Sequence, residues 1–136
     1  MKKANRVLIV DDDEISTYIC CRLIKSFQLS DDVVTKDDGL EALNYLKDCK
    51  NGNYDLPELI FLDIFMPEMD AREFLSEFNK LEMAGKEEIK IILMSASKLP
   101  KNEELFFIQA DNLNFIEKPL TGEKLCRIFK DIYSYC

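Results

Sequence analysis

Short apolar runs recur along the chain at Val7-Leu8-Ile9-Val10, Leu59-Ile60-Phe61-Leu62, Ile89 to Met94 and Phe115-Ile116, and each ends on polar residues. Runs of this length read as strands of a buried parallel sheet, and Val33-Val34-Thr35 reads as one more short strand. Between them the apolar positions change to helical spacing. Ile15, Tyr18, Ile19 and Leu23 share one face of a first helix; Leu40, Leu43 and Leu46 mark a second; Ala71, Phe74, Leu75 and Phe78 mark a third. Pro100 suits the start of a fourth helix, with a partial stripe of Leu105, Phe106 and Ile108. Thr121 is placed to cap a fifth, whose face is Leu125, Ile128, Phe129 and Ile132. All these stripes are expected to face a core. Strand and helix alternate, which predicts an α/β fold around a parallel sheet.

The residues at which the strands stop are chemically selective. The first run ends on Asp11-Asp12-Asp13, the second on Asp63 followed by Ile64-Phe65-Met66-Pro67, and the third on Ser95, while the fourth leads through Glu117 to Lys118-Pro119. One Asp after a strand is an ordinary turn or cap residue. Strand ends carrying acid, acid, hydroxyl and ammonium form a set, and open α/β sheets bind ligands at those ends. Carboxylates from two strand ends can hold a hard divalent cation such as magnesium, which takes oxygen ligands octahedrally and shares its shell with water and phosphate. A hydroxyl and an ammonium suit the remaining phosphoryl oxygens. The pattern points to phosphoryl handling.

With Val10-Asp11-Asp12, Asp63-Ile64-Phe65-Met66-Pro67, Ser95-Ala96 and Lys118-Pro119 in this order, the chain from Val7 through its last helix resembles the receiver domain of two-component response regulators, in the single-domain, chemotaxis-regulator-like form. The resemblance implies a doubly wound, flavodoxin-like (βα)5 fold with five parallel strands in the order 2-1-3-4-5, which makes Asp12 and Asp63 neighbours. It implies that Asp63 is a phosphoacceptor, charged by a phosphohistidine on a histidine kinase or a histidine phosphotransfer protein. Asp11 and Asp12 then position Mg2+, with Asp12 a direct ligand, and Asp63 and the backbone carbonyl of Phe65 complete the protein's share. Ser95 and Lys118 hold phosphoryl oxygens. Phe115, three residues before Lys118, is the implied switch aromatic, moving into space that Ser95 vacates. Such a protein catalyses only its own phosphorylation and dephosphorylation. Its output runs to a downstream protein target through the fourth helix, fifth strand and fifth helix.

Other readings compete for the same residues. A calcium loop starting at Asp11 needs Gly at its sixth position and Glu at its twelfth, where this chain has Ser16 and Arg22, so Asp13 is expected to cap the first helix instead. A phosphatase of the haloacid-dehalogenase type could use Asp11-Asp12-Asp13, Ser95 and Lys118. It would need an acidic pair beyond the Lys, where Glu123 and Asp131 stand in a helical stretch, and would leave Asp63 idle. A receiver-like binding scaffold that is never phosphorylated is the third reading, disfavoured by the full set of site residues.

Composition narrows the partners. A chain of 136 residues with 47% hydrophobic content suits one domain, 1–136, and with a single helix-length segment after Lys118-Pro119 no output domain is expected. A net charge of −8 argues against a nucleic-acid surface. Cys20, Cys21, Cys49, Cys126 and Cys136 form no Cys-x-x-Cys pair, and no His accompanies them in a zinc pattern. The basic start is followed by an apolar run too short for a signal or a membrane span, so a cytoplasmic location with reduced thiols is expected.

Two local features depart from the common receiver pattern. The stretch 51–57, Asn51-Gly52-Asn53-Tyr54-Asp55-Leu56-Pro57, lengthens the connection before the third strand and reads as a tolerated insertion in preference to a partner contact. Ala71 stands where many relatives carry Gly, and right-handed backbone is expected there.

Overall fold

The computed structural model describes residues 3–52, 54–66, 68–96 and 113–133. The expected helix after Pro100, with Leu105, Phe106 and Ile108, lies outside them, as do Asn53 and Pro67. Strands β1 (Val7–Val10), β2 (Val33–Lys36), β3 (Leu59–Asp63), β4 (Lys90–Ser95) and β5 (Leu113–Glu117) form one parallel sheet in the order β2-β1-β3-β4-β5. Helices α1 (Glu14–Ser26), α2 (Gly39–Lys50) and α3 (Ala71–Lys80), and a C-terminal helix (Gly122–Tyr133), are interleaved with them. The expected fold class and strand order are therefore observed.

Alternation along each strand divides the core into two layers. Leu8, Val10, Ile60, Leu62 and Leu93 face Ala42, Leu46, Phe74 and Phe78 of α2 and α3. Val7, Ile9, Leu59, Phe61, Ile92 and Met94 face Cys20, Ile24, Leu125 and Phe129 of α1 and the C-terminal helix. Both faces of β1 and β3 are thus covered, which explains why their sequences carry no polar positions before the terminal carboxylates.

The stripes expected of α3 and the C-terminal helix do face the core: Ala71, Phe74, Leu75, Phe78, Leu125, Ile128 and Phe129 are buried. Thr121 accepts a hydrogen bond from the Lys124 amide at 3.2 Å, as a cap should. The α1 stripe is corrected in part: of its four residues only Leu23 packs against the core. Ile15 and Tyr18 are 71% and 63% exposed, Ile19 is exposed as well, and the helix instead buries Cys20 and Ile24 one turn apart. The inward side of α1 is filled by Cys20 and Ile24, with Cys21 and Leu23 packed partly buried beside them, so Ile15, Tyr18 and Ile19 project outward. Leu40 is likewise exposed, while α2 buries Ala42, Leu43, Tyr45, Leu46 and Cys49.

The stretch 51–57 is tied down. Arg6 Nη1 donates to the Asp55 carbonyl at 2.9 Å and to the Tyr45 hydroxyl at 3.1 Å. Tyr54 stacks on Tyr45 with ring centroids 5.5 Å apart.

Candidate functional site

Register brings the polar strand ends together. Val10 lies beside Leu62, so the next residues, Asp11 and Asp63, leave the sheet side by side; Asp63 in turn pairs with Met94, one residue before Ser95. On the other side Ser95 pairs with Glu117, and the Lys118 amide donates to the Ser95 carbonyl at 2.8 Å. Four neighbouring strands therefore deliver Asp11, Asp12, Asp63, Ser95 and Lys118 to one edge of the sheet, where α/β folds place ligand sites.

One carboxylate oxygen from each of Asp11, Asp12 and Asp63 lies within 4.8 Å of the others. Asp11, Asp63 and Ser95 are buried and Asp12 is exposed, so the cluster has a closed floor and an open rim. Lys118 Nζ donates to Asp11 Oδ2 at 2.8 Å and stands 3.7 Å from Asp63 Oδ1. Its ammonium is therefore committed first to Asp11, a pairing the strand-end pattern did not foretell. Burial works against the charge on Lys118, but the hydrogen bond it donates to Asp11 and the field of Asp63 outweigh it and raise its pKa. Asp63 is pushed up to about 6, chiefly by burial and then by the negative charge of Asp11, with Lys118 pulling the other way.

The ligand atoms that these three residues offer are carboxylate oxygens, and their spacing suits a small hard cation that would relieve the crowding of negative charge. Magnesium fits the residues present, with Asp11, Asp12 and Asp63 as its holders. Asp13 is outside the grouping. It caps α1, accepting from the Ile15 amide at 3.0 Å, as expected of it. Phe65 sits two residues past Asp63 in the β3–α3 loop with its ring exposed. Phe115 lies on β5 with its ring partly open to solvent, 38% exposed, and is not a core residue here.

Two supporting features were not read from the sequence. Lys124 Nζ donates to the carbonyls of Glu117 at 2.8 Å and Pro119 at 3.0 Å, clasping the segment that carries Lys118, whose bond to Pro119 is cis. A cation in the first turn of a helix opposes the helix dipole, and that oddity was the available signal. The second is the exposed face of α1, which borders a hollow of about 330 Å³ lined by Asp13, Ser16, Ile19, Ala96, Lys118 and Leu120 among others. A hollow of about 490 Å³ between β2 and α2, walled by Arg6, Tyr45 and Tyr54, shares no residue with the carboxylate cluster. No helix among the described residues is long and apolar enough to cross a membrane.

Comparison with known proteins agrees with this geometry. A family model described as response regulator receiver domain matches residues 7–130. The chain is 33% identical over 128 residues to two-component response regulator 24 of Arabidopsis thaliana, covering 94% of this chain and 84% of the relative. Its fold is similar to a two-component response regulator from Cytophaga hutchinsonii, with a TM-score of 0.85 at 23% identity, covering 98% of this chain and 100% of that one. It is also similar to the receiver domain of the histidine kinase CKI1 from Arabidopsis thaliana, solved with Mg2+ and BeF3−, with a TM-score of 0.70 at 27% identity, covering 96% of this chain and 91% of that one.

Proposed function

Because the chain belongs to the response regulator receiver domain family and so to two-component phosphorelay signalling, we propose that it accepts a phosphoryl group on Asp63 from a phosphohistidine of a histidine kinase or phosphotransfer protein and signals through protein contacts. The observation that carries this reading is the three-carboxylate cluster beside Lys118 at the strand ends. An Asp63 oxygen attacks phosphorus, the P–N bond to the donor imidazole breaks as the P–O bond forms, and the released imidazole takes up a proton. Asp63 must be ionised to attack, which a pKa of about 6 permits at neutral pH. Lys118, already held at the edge of the cluster, neutralises charge on the transferred group, and the Ser95 hydroxyl donates to one of its oxygens. Asp11, Asp12, Asp63 and the Phe65 carbonyl would hold Mg2+, which would supply further charge neutralisation.

The donor is read as a protein because Ile19 lines the hollow beside Lys118 and Ile15 and Tyr18 are exposed on the same helix, giving a folded partner an apolar surface to grip while its histidine reaches Asp63. Ser95 and Phe115 on adjacent strands β4 and β5 carry the response toward a downstream protein, and the protein catalyses nothing beyond its own phosphorylation and dephosphorylation. This chemistry belongs to the cytoplasm, where such donors are made.

Intact-mass measurement after incubation with a small phosphodonor tests the reading. One phosphoryl group is expected with magnesium, none with a chelator, and none on Asp63→Asn, since an amide cannot form the acyl phosphate. Undiminished labelling of that variant removes Asp63 from its role, and a protein that no donor labels leaves the scaffold reading in its place.

A further inference from the structure

We infer that Gly39, on a helix that contributes no ligand to the carboxylate cluster, is a positioning residue for the magnesium site, because it is the prop on which the β3–α3 loop rests. The inference rests on the metal-binding reading above.

The loop leaves β3 at Asp63 and returns to α3 at Ala71. Its base is closed by the Ala71 amide donating to the Ile64 carbonyl at 3.2 Å, and is tied to the sheet by the Ile64 amide donating to the Met94 carbonyl at 3.0 Å. Its outer part is held by α2. The Gly39 amide donates to the Glu68 carbonyl at 3.1 Å, and a Cβ on Gly39 would stand 2.2 Å from the Met69 carbonyl oxygen and 3.1 Å from the Met69 Cβ and Cγ. The nearest of these atoms is backbone, so no rotamer change can make room.

Met69 itself is left-handed, with φ of 58°, a conformation that non-glycine residues adopt only when their surroundings impose it. The turn that presses against Gly39 is therefore stiff as well as close. Asp38 caps α2 from the adjacent position, accepting from the Glu41 amide at 2.9 Å, and fixes the helix end against which the loop leans. The loop thus touches the fold at its base through β4 and at its far end through Gly39, and Phe65 lies between these supports. Adding one carbon at Gly39 must push the helix end and the loop apart, and the loop carries the Phe65 carbonyl assigned to the metal.

The Gly39 amide offers a readout that a merely structural role would not move. It belongs to the first residue of α2, where an amide has no acceptor inside the helix, so its protection from exchange reports the contact with Glu68. Coupling between two sites is reciprocal. If Gly39 holds the loop for the metal, the metal must hold the loop on Gly39.

The experiment has two arms on the whole chain, with magnesium chloride as the probe. In titration calorimetry Gly39→Ala should bind magnesium about tenfold more weakly than the unaltered protein, the size typical of a lost support behind a metal ligand. Gly52→Ala, just past the other end of α2 and at positive φ, should lose stability in urea with unchanged magnesium affinity, because nothing lies within 4 Å of its added carbon. In amide exchange on the unaltered protein, magnesium should slow the Gly39 amide severalfold. That arm needs no variant to fold. Equal magnesium affinity in Gly39→Ala, or a Gly39 amide whose exchange ignores magnesium, overturns the positioning role. Failure of the unaltered protein to bind magnesium instead overturns the metal-binding reading.

Discussion

Replacing Asp63 by Asn should make the metal-free protein more stable at neutral pH. Asp63 titrates at about 6 instead of its ordinary 3.8, because burial and the neighbouring Asp11 disfavour its charge more than Lys118 favours it. The native state therefore binds a proton at Asp63 more tightly than the unfolded chain does, and stability falls as pH rises through the window from 3.8 to about 6. Above that window the full cost of the buried charge is in place. At about 1.4 kcal/mol for each tenfold change in proton affinity, the cost is about 3 kcal/mol. It shrinks to about half near pH 5 and to well under 1 kcal/mol near pH 4, where the native carboxyl is already neutral and the unfolded one is becoming so.

Asn keeps the shape and drops the charge, so Asp63→Asn should gain about 2 to 3 kcal/mol near pH 7.5 in urea unfolding with chelator present, and the gain should fade toward pH 4. Titrations of groups remote from Asp63 appear in both proteins and cancel in the difference. Magnesium should reverse the order, since a ligand of the native state stabilises by mass action and the variant has lost one of its holders. A variant no more stable than the parent near pH 7.5, or a gain that persists undiminished at pH 4, would refute the claim that Asp63 is held ionised at a cost.

Three further outcomes test the remaining assignments. Asp12→Ala should weaken magnesium binding in calorimetry at least tenfold more than Asp13→Ala, which should instead lower stability by about 1 kcal/mol through the lost helix cap. Ile15→Asp or Tyr18→Asp should slow phosphotransfer from a histidine kinase about tenfold or more while leaving labelling by a small phosphodonor unchanged, because the exposed face of α1 serves the protein donor alone; equal slowing with both donors rejects that role. Beryllofluoride should shift the Phe115 amide resonance, and Ser95→Ala should blunt that shift where the mimic still binds, because a mimic moves a two-state equilibrium only through contacts that differ between states. A full Phe115 response in the Ser95→Ala protein removes Ser95 from the coupling.

What the sequence made legible follows from where each element is buried. β1 and β3 are covered on both faces, so burial writes itself into the sequence as an unbroken apolar run, and the first polar residue marks the point at which the strand leaves the core. That is why Asp11 and Asp63 read as strand ends from the sequence alone. α3 and the C-terminal helix each bury a single wide stripe, and periodicity reported it correctly. α1 breaks the rule that periodicity depends on. Periodicity finds an apolar face but cannot tell whether it turns toward the core or toward a partner, and the inward side of α1 is built on Cys20 and Ile24 while Ile15 and Tyr18 project outward.

The site was legible as a set of groups and opaque as a set of distances. A pattern of acid, acid, hydroxyl and ammonium at strand ends says which side chains meet, since parallel register must bring the ends of adjacent strands together. It does not say that Lys118 is closer to Asp11 than to Asp63, because that choice turns on sub-ångström placement of a long side chain around two carboxylates. Backbone approach is equally silent. Gly39 reads in sequence as a permissive residue at a helix start, and the tight contact is set by the left-handed turn at Met69, thirty positions away and not glycine. Right-handed backbone at Ala71 was foreseen and is found inside α3, yet the strain in that loop sits two residues earlier, on a side chain whose identity gives no sign of it. Residue types announce the chemistry of such a site, whereas its rigidity comes from long-range contacts between backbone segments, and these contacts are where substitutions remote from the carboxylates can reach the metal.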